Sequence, residues 1–160
     1  MPLVLGIDPG TAIIGYAIVH DLPDGNCEAI DYGVITTPKT DTAAVRLVQL
    51  YEEINKIIRL HQPDSAAVEK LFFQRNITTA IAVGQARGVV MLALAQAGLE
   101  IGEYTPNEIK QAVTGYGSAD KRQVQEMVRV QLALDGIPKP DDAADALAIA
   151  ICHLSTRRYE

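Results

Sequence analysis

Residues 3–19 read LVLGIDPGTAIIGYAIV. Two apolar runs, LVLGID and AIIGYAIV, flank a Pro-Gly turn, the pattern of two short strands joined tightly. After the loop DLPDGN, the stretch EAIDYGVITT continues as a third strand, so the first forty residues predict an antiparallel meander. From Asp41 to His61 the apolar residues Val45, Leu47, Val48, Leu50, Ile54, Ile57 and Ile58 recur at helical spacing. SAAVEKLF (65–72) follows as a strand, then a helix rich in small residues from about 78 to 97, stopped by Gly98. EIGEYT (100–105) is a fifth strand, and helices are expected near 106–113, 119–134 and 143–156. A meander followed by helix-separated strands predicts an α/β fold, a mixed five-stranded sheet flanked by helices.

The chain has 160 residues, 48% of them hydrophobic and 21% charged, the composition of one soluble domain with a good core. No apolar run is read as reaching the ~18 residues that span a membrane. The start, MPLVLGIDPG, lacks a basic leader, and Cys27 and Cys152 have no metal-ligand spacing. Reduced thiols and a cytoplasmic location are expected. The net charge of −6 argues against a general polyanion binder. Any role on nucleic acid needs local basic clustering, or acids neutralised by metal.

The acids stand in telling places. Asp8 closes the first strand and Glu69 ends the apolar run AAVE; a turn cap or a solvated strand end explains each about as well as a functional role. If strands one and four are parallel neighbours, both acids emerge on the same edge of the sheet. The third source is PDDAADALAIAI (140–151), where Asp145 is the only charge from Ala143 to Cys152. A buried unpaired carboxylate is costly, so Asp145 must reach water or a cation. Asp142 and Asp145 share a helix face, but so do Asp141 and Asp145, and spacing alone leaves the pair open. Acids this close repel by ~1 to 4 kcal/mol per pair. A hard divalent cation such as magnesium removes that penalty. Two such ions ~3.5–4 Å apart can clamp a phosphodiester for hydrolysis.

The segments GIDPGTAIIGYAIV, AAVEKLFFQRN, GQARGV, GYGSADKRQVQ and DDAADALAIAICH closely resemble the RuvC family of Holliday junction resolvases, in the family's order, from about residue 3 to 153. The resemblance implies a ribonuclease H-like fold over residues 1–157, with 158–160 a short tail. It also implies a homodimer, Mg²⁺-dependent paired nicking of four-way DNA junctions, and a branch-migration motor (RuvA and RuvB) as partner. Carried over by position, the metal-binding acids are Asp8, Glu69, Asp142 and Asp145. They would hold two Mg²⁺ per site, with Mn²⁺ as a substitute. Asp141 becomes an N-cap or a support to the ligands. The lysines that contact phosphate fall on Lys110 and Lys121, and the aromatic that meets unpaired bases falls on Phe72.

Phe73, Arg75, Asn76 and Arg122 are further candidates for DNA contact, although a solvated face explains the last three nearly as well. Ser118 is the expected N-cap of the helix carrying Lys121, which places that lysine where the dipole favours an anion. The helix of 78–97 is read as a core helix or a dimer-forming one. Setting aside four acids neutralised by metal leaves sixteen against fourteen Lys and Arg, so binding should depend steeply on salt. Two other readings remain: a nuclease of this fold acting on other branched nucleic acid, or an ATP-binding lobe of the actin and Hsp70 type, for which the chain is short.

Overall fold

The structure is a computed structural model that describes residues 2–10, 12–70 and 77–158, the side chains of 77 and 78 excepted. Five strands form one sheet in the order β3-β2-β1-β4-β5. β1 (Leu3–Asp8), β2 (Ile13–Asp21) and β3 (Cys27–Thr36) make the expected antiparallel meander, and β4 (Ser65–Glu69) and β5 (Glu100–Tyr104) add to β1 in parallel. α1 (Ala43–His61) and α2 (Ile77–Gln96) cover one face; α3 (Pro106–Thr114), α4 (Lys121–Gln131) and α5 (Asp141–Arg158) cover the other.

Alternation along the strands sorts the side chains between these two layers. Leu5, Ile7, Ile14, Ile18, Ala66 and Val68 pack under α1 and α2. Val4, Ala17, Val19 and Ala67 meet α5 and its neighbours. By the same parity Asp8 and Glu69, at the carboxyl ends of two parallel strands, turn toward α5. The sheet edge inferred from strand order is thus the edge observed.

α5 lies directly on β1 and β2 because two mid-strand glycines leave room for its backbone. A Cβ on Gly15 would stand 1.9 Å from the Asp142 carbonyl oxygen, and one on Gly6 would stand 2.4 Å from that of Ala146. Glycine inside a strand marks such close approach.

Three details depart from the sequence reading. β4 ends at Glu69, with Lys70 already outside the strand although its amide still bonds the Tyr104 carbonyl; the rest of the expected strand, 71 and 72, lies outside the described residues. Asp120, not Ser118, caps α4: its carboxylate accepts from the Gln123 amide and the Gln123 side chain accepts from its own, a reciprocal pair that serine two residues earlier cannot reach. α5 begins at Asp141 itself, with the Pro140 carbonyl accepting from Ala143 and Ala144, so Asp141 is a first-turn residue and not the cap.

α2 corrects a fourth. Thr79–Gln96 is long and apolar enough to cross a membrane by length and composition, with Arg87 its one charge. One face is core, through Ala86, Val90, Ala93 and Leu94, and Arg87 pairs with Glu103 of β5. Val89 and Met91 are partly buried against that core, while Ile81 at 57% and Leu92 at 51% stand exposed in the single chain.

Candidate active site

β1 delivers Asp8, and the first two turns of α5 deliver Asp142 and Asp145. One oxygen from each lies within 4.8 Å of the others. Gly15, paired with Asp8 across β1 and β2, sits beneath the Asp142 carbonyl, so the register of two strands and the seat of a helix fix this convergence together. The electrostatics are those of carboxylates crowded together and partly withdrawn from water. Burial first, then the charges of Asp145, Glu69 and Asp142, push the Asp8 carboxyl up to about 8. A hydrogen bond between the two side chains raises Asp8 further and lowers Asp145. Burial also raises Asp145, against the pull of Lys121.

Glu69 stands beside this trio and not inside it. Burial and then the charge of Asp145 raise its pKa, while Lys110 lowers it. Glu69, Asp145, Lys110 and Lys121 line one cleft of about 250 Å³, walled by Pro106, Ile109 and Val124. An acid trio with a fourth acid on a lysine-rimmed cleft fits a hard cation: every donor is a carboxylate oxygen, and a divalent ion offsets both the burial and the mutual repulsion that raise the Asp8 carboxyl.

The lysines reach the cleft from two helices. Lys110 is on α3, whose start is fixed by the Thr105–Glu108 capping box with Pro106 in the first turn. Lys121 opens α4 and extends back to α5, its Nζ 3.2 Å from Asp141 and 3.9 Å from Asp145. Burial works against the ammonium, but Asp145 and Asp141 outweigh it and hold its pKa above the ordinary lysine value. Gln125 donates to the other Asp141 oxygen at 3.3 Å. Asp141 therefore supports Lys121 and stays out of the trio, which separates the two pairs that helical spacing could not. Arg122 is exposed on the first turn of α4 and outside the cleft lining. Phe72, Phe73, Arg75 and Asn76 lie outside the described residues.

Sequence reasoning passed over Gly6 and Gly15, although a glycine within each apolar strand was the available signal. It also passed over a buried polar cluster. His153 of α5 bonds Ser65 of β4 at 2.9 Å and Tyr104 of β5 at 2.6 Å. Burial and then Arg157 push the imidazole down to about 4, so it is neutral at physiological pH.

The model of the family described as crossover junction endodeoxyribonuclease RuvC matches residues 4–153. A RuvC of Chloroflexus aurantiacus is 59% identical over 152 residues, 95% of this chain and 92% of the relative. The solved Thermus thermophilus RuvC superposes with a TM-score of 0.92 at 34% identity, covering 98% of this chain and 96% of the other. Its complex with a Holliday junction substrate superposes at 0.90 and 33% identity, covering 99% and 96%. The ribonuclease H-like sheet, the carboxylates at its edge and this breadth of similarity agree, and the chain belongs to the RuvC family of crossover junction endodeoxyribonucleases.

Proposed function

We propose that this chain resolves four-way DNA junctions by paired, symmetric nicks in opposed strands, using Mg²⁺ held by Asp8, Glu69, Asp142 and Asp145. The observation that carries the reading is the convergence of Asp8, Asp142 and Asp145 within 4.8 Å, with Asp145 also lining a cleft that Glu69 and two lysines share. The substrate class is supported by a relative, the Thermus thermophilus RuvC solved with a Holliday junction. A binder without chemistry gains nothing from concentrating negative charge beside DNA, which argues for cleavage.

Bound there, magnesium supplies Lewis acidity to the scissile phosphate and lowers the pKa of the attacking water. The chain's own groups do the rest. Asp8, Glu69, Asp142 and Asp145 would hold the ions. Lys121, aimed across the cleft by Asp141, offsets charge that builds on the phosphate oxygens, and Lys110 does so from the α3 side. Lys121 also opens α4, where free backbone N–H groups and the helix dipole favour a phosphate.

The partner arrangement follows the same reading. A second copy would cover the apolar outer face of α2, around Ile81 and Leu92, and a two-fold dimer suits a junction whose opposed strands are cut in pairs. A branch-migration motor of the RuvA and RuvB kind, Mn²⁺ as a substitute ion and a cytoplasmic location complete the proposal.

Nicking of a synthetic four-way junction, with Mg²⁺ and with EDTA, is the test. Paired symmetric nicks that need Mg²⁺ are expected; tight binding without nicks on several junction sequences would overturn it. Lys121→Ala is expected to cut nicking by about 10²-fold, the usual cost of one donor to a developing oxyanion. The same variant should reduce the salt slope of junction binding by about one.

A further inference from the structure

Among the described residues the fully buried polar side chains are Ser65 and His153, each 2% exposed, and they bond each other. The third member, Tyr104, is 7% exposed and meets the imidazole edge-on, at a ring separation of 5.7 Å. A buried polar group costs free energy unless every member is satisfied. Here the neutral ring accepts at one nitrogen and donates at the other, so both are used. Gly102 keeps the space open: a Cβ there would stand 2.5 Å from the Tyr104 hydroxyl and 2.6 Å from His153 Nδ1.

The placement of this cluster matters more than its stability. Tyr104 is the strand partner of Glu69, and its carbonyl accepts from the Lys70 amide at 2.7 Å. His153 follows Asp145 by eight residues, about 12 Å along α5. Between them α5 faces the sheet with Ala146 and Ala150 over Gly6, and among the described residues no side-chain hydrogen bond ties that stretch to a strand. Alanine on glycine permits close approach but does not resist sliding along the helix axis. Hydrogen bonds do, and buried polar groups are best attested in fixing register.

We infer that the Ser65–His153–Tyr104 cluster is a positioning device that pins α5 to β4 and β5 and so sets the separation of Asp142 and Asp145 from Glu69. This rests on the nuclease reading above. None of the three residues touches the cleft, so each acts through the acids. Displacements of about 1 Å at a reacting centre can cost about 10²-fold, so a loose pin is felt at the site before it is felt in the fold.

The experiment uses the full-length chain and four variants: Tyr104→Phe, Ser65→Ala, His153→Gln and His153→Leu. Mn²⁺ affinity is read by electron paramagnetic resonance, nicking by its kcat and Mg²⁺ half-saturation, junction affinity in EDTA, and Tm. Tyr104→Phe keeps the ring and loses the hydroxyl. It is expected to weaken Mn²⁺ binding and lower kcat by about tenfold, the low end for groups that orient ligands, while junction affinity in EDTA stays within about twofold. His153→Gln, with a donor and an acceptor, should recover more Mn²⁺ affinity than the isosteric but apolar His153→Leu. Unchanged Mn²⁺ affinity and kcat in Tyr104→Phe, or equal losses in the Gln and Leu variants, would overturn the inference alone. Failure of the unmodified chain to bind Mn²⁺ would overturn the nuclease reading and this inference with it.

Discussion

Asp8→Asn is expected to abolish nicking while leaving junction binding intact, and to make the metal-free protein more stable. The loss should be at least about a thousandfold, because several kcal/mol of charge stabilisation disappear at roughly 1.4 kcal/mol per factor of ten. The gain in stability follows from the proton. Asp8 titrates near 3.8 in the open chain and is pushed to about 8 in the fold, by burial first and by Asp145, Glu69 and Asp142 next. The folded state therefore holds a proton that the unfolded state has released between those two values. The contribution of Asp8 is fully present below pH 3.8 and is lost as pH rises through 8. Asparagine has no proton to lose. The variant should match the parent near pH 4 and exceed it by up to about 5 kcal/mol at pH 8, or up to about 10–20 °C in Tm for a chain of this size. Saturating Mg²⁺ should reverse the order, since only the parent gains from tight metal binding. Thermal melts at three pH values, with and without Mg²⁺, check all of this; a variant no more stable than the parent at pH 8 would remove Asp8 from the acid trio.

The sequence carried the layers and the edge more clearly than the contacts. The sequence sends Asp8 and Glu69 out on one edge only if strands one and four pair in parallel, a condition that the structure meets. Helical spacing was not enough to choose between Asp141 and Asp142, because residues three and four before Asp145 are equally its neighbours. The choice depends on how α5 is rotated on the sheet, and that is decided by Gly15 in a strand more than a hundred residues away. The α4 cap failed for a smaller reason: Ser118 and Asp120 are both good caps locally, and only the partner glutamine at Gln123 favours the latter. His153 closes a run of small apolar residues, where a lone histidine reads as core. Its tie to Ser65 and Tyr104 joins three segments, and no local pattern announces it. What sequence periodicity conveys is the face a residue occupies; what it lacks is the rotation and axial position of one element on another.

Gly15→Ala tests that rotation directly, and it is expected to disturb both the fold and the acids. The added methyl would stand 1.9 Å from the Asp142 carbonyl oxygen and 2.4 Å from its carbon. Both are backbone atoms of a buried helix, so no side-chain rotamer relieves the clash. Either β2 bends away from β1 and β3, breaking pairs on both sides, or α5 lifts from the sheet at its first turn. The second route is cheaper, since α5 is held there by packing while β2 is held by two ladders. Overpacking of this kind costs about 1–3 kcal/mol, and Tm should fall by about 2–12 °C. The lift carries Asp142 and Asp145 away from Asp8, so nicking should drop by at least about 10²-fold and Mn²⁺ affinity with it. Gly6→Ala, 2.4 Å from the Ala146 carbonyl oxygen, should act in the same direction one turn further on. Gly136→Ala is the control, because a Cβ there meets nothing within 4 Å. If Gly15→Ala lowers Tm but leaves Mn²⁺ affinity unchanged, the strain is absorbed in the sheet, and the seat of α5 does not set the geometry of the acids.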